Sequence, residues 1–165
     1  MRQKFIDWFF YDPLFKKLNV RTVLDVGSEN GKMIKYFSRR GAKVTAIDLE
    51  PTRPEIKKMD FLNNVFADGQ FDLVYSAHTI EHIPTPEKFS LEMLRVSKQY
   101  VCLVAPLPGK QFWDQPDHIR PYTKETLKRI FHLNKWIICK EIRFPGFEPI
   151  ALVLFDKKDS RLVRN

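Results

Sequence analysis

The stretch VRTVLDVGSENGKMIKYF, residues 20–37, decides the fold class. A β-branched, apolar run ends at Gly27, and Gly31 opens a segment that places Ile34, Tyr36 and Phe37 at helical spacing. This is a strand, a glycine turn and a helix. The chain holds only six glycines, so two in one short loop mark a backbone asked for a tight turn and a close helix–strand approach. Farther along the chain, AKVTAIDL (42–49), FDLVYSA (71–77) and YVCLVAPL (100–107) read as further strands. PEKFSLEMLRVSK (86–98) and TKETLKRIFHL (123–133) read as helices. WIICKEIRF (136–144) and PIALVLFD (149–156), separated by Pro145-Gly146, read as an antiparallel pair that adds an edge strand. Strands alternating with helices predict an α/β fold with a mostly parallel sheet and an antiparallel C-terminal strand. Residues 106–122, PLPGKQFWDQPDHIRPY, are the one long irregular loop, a place where function concentrates.

At 165 residues the chain suits a single domain, 1–165, with residues 1–19 as an N-terminal helical segment. Hydrophobic residues at 44% and charged residues at 29% exclude a disordered chain. The aromatic N-terminal segment is open to three readings: a stripe packed on the sheet, a lid over a ligand, or an interfacial membrane helix, for which its cations are too few. No apolar run reaches the length of a membrane span, and no small-residue cleavage site follows the N-terminus. Cys102 and Cys139 make no disulfide framework, which leads to the expectation of a reducing, cytoplasmic setting.

Ligands of open α/β sheets bind beyond the carboxyl ends of the strands. Gly27 and Gly31 lie there with free N–H groups at the helix start, and Asp48 closes the second strand, where a carboxylate can accept both hydroxyls of a ribose. A nicotinamide fingerprint fails, because Glu29 and Lys32 stand where its second and third glycines belong, and no P-loop occurs. A strand–turn–helix junction with no ligand is the alternative reading of the loop.

The order VLDVGSENG, VTAIDLE, KKMDF, FDLVYSAHTIEHI, a strand and HIRPYTKETLKRIF resembles class I S-adenosylmethionine (SAM)-dependent methyltransferases, nearest the small type 11 domain, over about residues 20–156. The resemblance implies a three-layer, Rossmann-like fold and S-adenosyl-L-methionine as cofactor. It implies that Asp25, Gly27, Ser28, Glu29 and Gly31 form the loop around the methionine part. Asp48 would hold the ribose, with Leu49 beside the adenine; Asp60 would cap the adenine amino group, with Phe61 following; Ser76, Ala77 and His78 would line the methyl group. Glu29 departs from the family's glycine. Either its bulk crowds the methionine, or its carboxylate meets the cofactor's ammonium.

The implied reaction is in-line methyl transfer, dominated by positioning. Where the acceptor must lose a proton, His78 and His118 are the candidate bases, with Arg120 beside His118 in the acceptor-side loop 106–122. The run His78-Thr79-Ile80-Glu81-His82 also spells the inverted zinc-peptidase motif, but that motif lies within a long helix, whereas here it follows a strand and stops at Pro84. No metal is therefore expected. No N/D-P-P-Y/F tetrapeptide follows the fourth strand, which argues against amino-methylation of DNA bases. The competing function is a methyltransferase-like fold without activity, serving as a nucleic-acid- or protein-binding module.

The net charge of +8 points to an anionic acceptor or partner, nucleic acid or small molecule. Residues 1–82 carry 13 Lys and Arg against 11 Asp and Glu, whereas residues 83–165 carry 15 against 9. Such a partner is accordingly expected to meet the second half of the chain.

Overall fold

The computed structural model describes residues 12–131, 136–143 and 149–157. Most of the N-terminal segment, with Phe5, Trp8 and Phe9, lies outside them. Its described end is a short turn of helix, α1 (Asp12–Phe15), that buries Leu14 and Phe15.

Seven strands form one sheet: β1 (Thr22–Val26), β2 (Lys43–Asp48), β3 (Lys57–Lys58), β4 (Phe71–Ala77), β5 (Ser97–Pro106), β6 (Trp136–Ile142) and β7 (Ile150–Asp156). Their order is β3-β2-β1-β4-β5-β7-β6, parallel from β3 to β5, with β7 antiparallel to both of its neighbours. The antiparallel strand is not at the edge, contrary to the sequence expectation. β7 sits between β5 and β6 because Ala151 to Phe155 are buried on both of its faces, while β6 exposes Lys140 and Glu141 at the rim.

Strand alternation builds three layers. Leu24, Val26, Val74, Val101 and Leu103 point to one face, where α3 (Pro86–Val96) and α5 (Lys124–Phe131) cover them with Phe89, Met93, Leu127 and Phe131. Val23, Leu73, Tyr75, Cys102 and Val104 point to the other face, against Tyr36 and Phe37 of α2 (Lys32–Ser38) and Phe15 of α1. Between β5 and α5 runs the predicted long loop. It holds one helical turn, α4 (Lys110–Trp113), and is anchored by Phe112 and Tyr122, both almost fully buried, whereas Trp113 is 62% exposed. Among the described residues no helix is long and apolar enough to cross a membrane. Both cysteines are free thiols.

Because the chain goes from β1 to β2 in one direction and from β1's other neighbour, β4, onward in the other, the sheet reverses its order between β1 and β4. The crevice beyond that reversal is where such sheets bind ligands.

Candidate functional site

A cleft of 760 Å³ opens at this reversal. Its floor is the turn after β1. Gly27 adopts φ 71° and donates its N–H to the Ile47 carbonyl at 3.0 Å, and Ser28 N–H reaches the same oxygen at 3.1 Å. A side chain at Gly27 has no room, since a Cβ there would lie 2.1 Å from Thr79 Oγ1. Glu29 takes φ 46°, a left-handed conformation that suits glycine far better than a side chain. Its N–H donates to Asp48 Oδ2 at 2.8 Å, and Glu50 N–H donates to Asp48 Oδ1 at 3.0 Å. The Asp48 carboxylate is thus oriented at both oxygens before any ligand arrives. Asp60 caps the short turn Phe61–Asn63, accepting from Leu62 N–H at 2.9 Å and from Asn63 Nδ2 at 2.6 Å.

The structure brings Gly27, Glu29, Asp48, Leu49, Asp60, Phe61, His78 and His118 to the cleft wall. Leu49 stands 58% exposed at the rim, while Phe61 packs edge-on against Phe89 with centroids 5.3 Å apart. Other residues expected at the site lie behind it. Asp25 is buried and accepts from Ser28 Oγ at 2.6 Å; burial pushes its pKa up to about 6 in spite of that hydrogen bond. Ser76 is fully buried, its hydroxyl donating to the Val26 carbonyl at 3.0 Å, so it ties β4 to β1 and does not face the cleft. Gly31, with φ 70°, caps the start of α2 behind the wall. Arg120 is exposed and lies outside the lining, beside Tyr122.

At the opposite end of the cleft, β4 runs into His78, whose φ of 53° turns the chain sharply. His78 N–H donates to the Val104 carbonyl at 3.0 Å, and a 3-10 turn follows over Ile80–His82. Residues 78–82 therefore do not form the long helix of a zinc-peptidase motif. The turn buries Glu81 completely and sets His82 in the cleft wall. His118 reaches the same wall because Ile119 N–H donates to the Glu81 carbonyl at 2.8 Å, pinning the loop to the turn. Sequence reading missed Thr79, His82, Gln115 and Asp117 as parts of this wall. Thr79 and His82 were adjacent to residues singled out, but only the φ reversal at His78 turns them inward.

The electrostatics of the wall are one-sided. Glu29, Asp48, Glu50, Asp60 and Asp117 line it, and no Lys or Arg does so among the described residues. In a chain with net charge +8 the cleft is an acidic exception. Such a surface favours a cationic ligand and disfavours a phosphate-bearing one.

A family described as "Methyltransferase domain" matches residues 24–104, from within β1 to near the end of β5. An uncharacterized methyltransferase from Mycobacterium sp. (strain KMS) is 33% identical over 88 residues, which is 47% of this chain and 35% of that protein. Norajmaline N-methyltransferase from Rauvolfia serpentina is 35% identical over 138 residues, 73% of this chain and 47% of that enzyme. The chain thus spans between a third and a half of the length of these two relatives. In architecture it is similar to a SAM-dependent methyltransferase from Archaeoglobus fulgidus, with a TM-score of 0.75 at 18% identity over 94% of this chain and 93% of the other. With its sheet order, its switch-point cleft and the matched span in agreement, the chain belongs to the class I, SAM-dependent methyltransferase family, as a type 11 methyltransferase domain.

Proposed function

We propose that the chain is a methyltransferase that binds S-adenosyl-L-methionine in the cleft and delivers its methyl group to an acceptor seated between the His78 turn and the 106–122 loop. The observation that carries this reading is the acidic cleft in a basic protein: five carboxylates and, among the described residues, no Lys or Arg on the wall suit a sulfonium and an ammonium. The donor set fits the rest of the cofactor. Asp48 offers an oriented carboxylate to a ribose diol, and Leu49 and Phe61 offer apolar surface to a purine. Asp60 would hold the purine amino group, and the Gly27 turn would leave room for the methionine part. Asp25, Ser28, Gly31 and Ser76 act from behind, holding the loop in shape.

When bound, the cofactor supplies a methyl group already activated by positive sulfur. The protein's part is to orient the acceptor and exclude water. His78 and His118 stand at the acceptor end, and either can take a proton from an acceptor group of suitable acidity. Arg120 works from outside the wall, beside Tyr122, where burial raises the hydroxyl's pKa against the opposing effect of the guanidinium. Among the described residues the lining carries no Lys or Arg, which speaks against an acceptor whose reacting end is anionic. The basic surplus of the second half would then serve a partner, or a distant part of the acceptor, outside the cleft.

The test is transfer of labelled methyl from S-adenosylmethionine into fractionated cell extract. Label is expected in one fraction with the wild-type protein and, at limiting S-adenosylmethionine, in strongly reduced amount with Asp48→Ala. A wild-type protein that labels no fraction of RNA, DNA, protein, lipid or small molecules counts against the reading.

A further inference from the structure

We infer that Glu81, His82 and His118 form a site for one borderline divalent metal ion, of the zinc class, at the acceptor end of the cleft. One potential ligand atom from each of the three residues lies within 4.8 Å of the other two. A four-coordinate zinc ion bound at ~2.0–2.1 Å holds its ligand atoms about 3.4 Å apart. Binding an ion therefore requires the ligand atoms to draw together by up to about 1.4 Å.

The protonation pattern around the site is that of a prepared ligand set. His82 Nδ1 lies 3.1 Å from the Asp117 carbonyl, and His118 Nδ1 lies 3.0 Å from the Phe112 carbonyl. A carbonyl can only accept, so each ring carries its proton on Nδ1 and, when neutral, keeps the lone pair of Nε2 for a cation. Metal-bound histidines characteristically have this arrangement, with the second nitrogen held by a carbonyl or a carboxylate. His82 has both, because Asp117 Oδ2 is also 3.2 Å from its Nδ1. The rings pack edge to face with centroids 4.9 Å apart, and Phe112 packs on His118 at 4.5 Å, so the loop holds both imidazoles in place. The third ligand is a carboxylate buried to 0% exposure, a placement that folded proteins retain where the charge is paired or bound to a cation. His78 Nδ1 stands 3.7 Å from its Oε1.

Two imidazoles and one carboxylate select zinc and its first-row neighbours over magnesium or calcium, which prefer oxygen alone. Three protein ligands leave a coordination position open. His82 and His118 both line the cleft, so an acceptor oxygen or a water can fill that position, and with the ion bound His118 is occupied as a ligand and proton removal falls to His78. Only this use of the ion rests on the methyltransferase reading; the site itself does not.

The test is titration of the chelator-stripped full chain with Co2+, followed by visible absorption. One equivalent is expected to give the ligand-field bands of a low-coordinate ion, displaced by Zn2+ and not by millimolar Mg2+. His82→Ala and His118→Ala should each weaken binding at least about 100-fold, and Asp117→Ala about 10- to 100-fold. His118→Cys should restore binding and add a thiolate charge-transfer band, which a fold defect would not produce. No bands in the wild type, or bands that survive both alanine variants, overturn the site. Titration with S-adenosylhomocysteine, run in parallel, separates the two ideas. Cobalt bound without that ligand sinks the methyltransferase reading alone, and the reverse sinks the metal site alone.

Discussion

The main-chain N–H of Glu29 donates to Oδ2 of Asp48 at 2.8 Å, joining the glycine turn after β1 to the end of β2. The bond fixes the loop that forms one wall of the cleft and aims the carboxylate proposed to hold the ribose. Asp48→Ala removes both effects. A hydrogen bond to a charged group contributes about 1.5–3 kcal/mol, so S-adenosylhomocysteine affinity should fall between about 10- and 100-fold by calorimetry. Unchanged affinity would remove Asp48 from the binding set.

Gly27 meets Thr79 with no space for a side chain and holds φ 71°. Gly27→Ala should lower stability by about 1–3 kcal/mol through the clash and the unfavourable backbone region, read by urea denaturation. Adding Thr79→Ala removes the clash and leaves the backbone conformation. The double variant should therefore recover part of the loss and not all of it.

Glu29 departs from the family's glycine yet holds φ 46°, the kind of turn glycine makes easily. Glu29→Gly relieves that conformation but frees the unfolded chain. The two effects oppose each other, and stability should change by no more than about 1 kcal/mol, upward if at all. Glu29→Val, β-branched at a positive φ, should be clearly less stable than either. Equal stability of all three variants would contradict the strained turn.

Asp25 gives a pH dependence of known sign. The folded protein keeps its proton until about pH 6, while an unperturbed Asp releases it near 3.8. Between these values the folded state binds more protons than the unfolded chain, so this group makes stability fall as pH rises from 4 to 6 and leaves it level above. The full effect is about 3 kcal/mol. Asp25→Asn, which can still accept from Ser28, should be more stable than wild type at pH 8 and equal to it at pH 4. Denaturant midpoints at the two pH values check this.

The reading from sequence was strongest where local pattern decides structure. VLDV, VTAID and FDLVYSA are apolar on both sheet faces, and only a central parallel strand buries both. The position of β7 was not legible, because it depends on which of two apolar strands covers β5. Only the exposed Lys140 and Glu141 of β6 hint at the answer. At the site, Gly27, Asp48 and Asp60 could be read because each ends or follows a strand or cap. Ser76 could not be separated from its neighbours, since its bond to the Val26 carbonyl depends on the β1–β4 register that sets Ser76 opposite Val26. The meeting of His118 with Glu81 and His82 depends on contacts across more than 30 residues, the Ile119 N–H to the Glu81 carbonyl and His82 to Asp117, which no local pattern encodes.

Isothermal titration of the wild-type protein with S-adenosylhomocysteine asks whether the cleft holds the cofactor. The expected result is one site per chain in the micromolar range, weakened by Asp48→Ala and restored in part by Asp48→Asn. No heat at high micromolar ligand from a folded protein would contradict it.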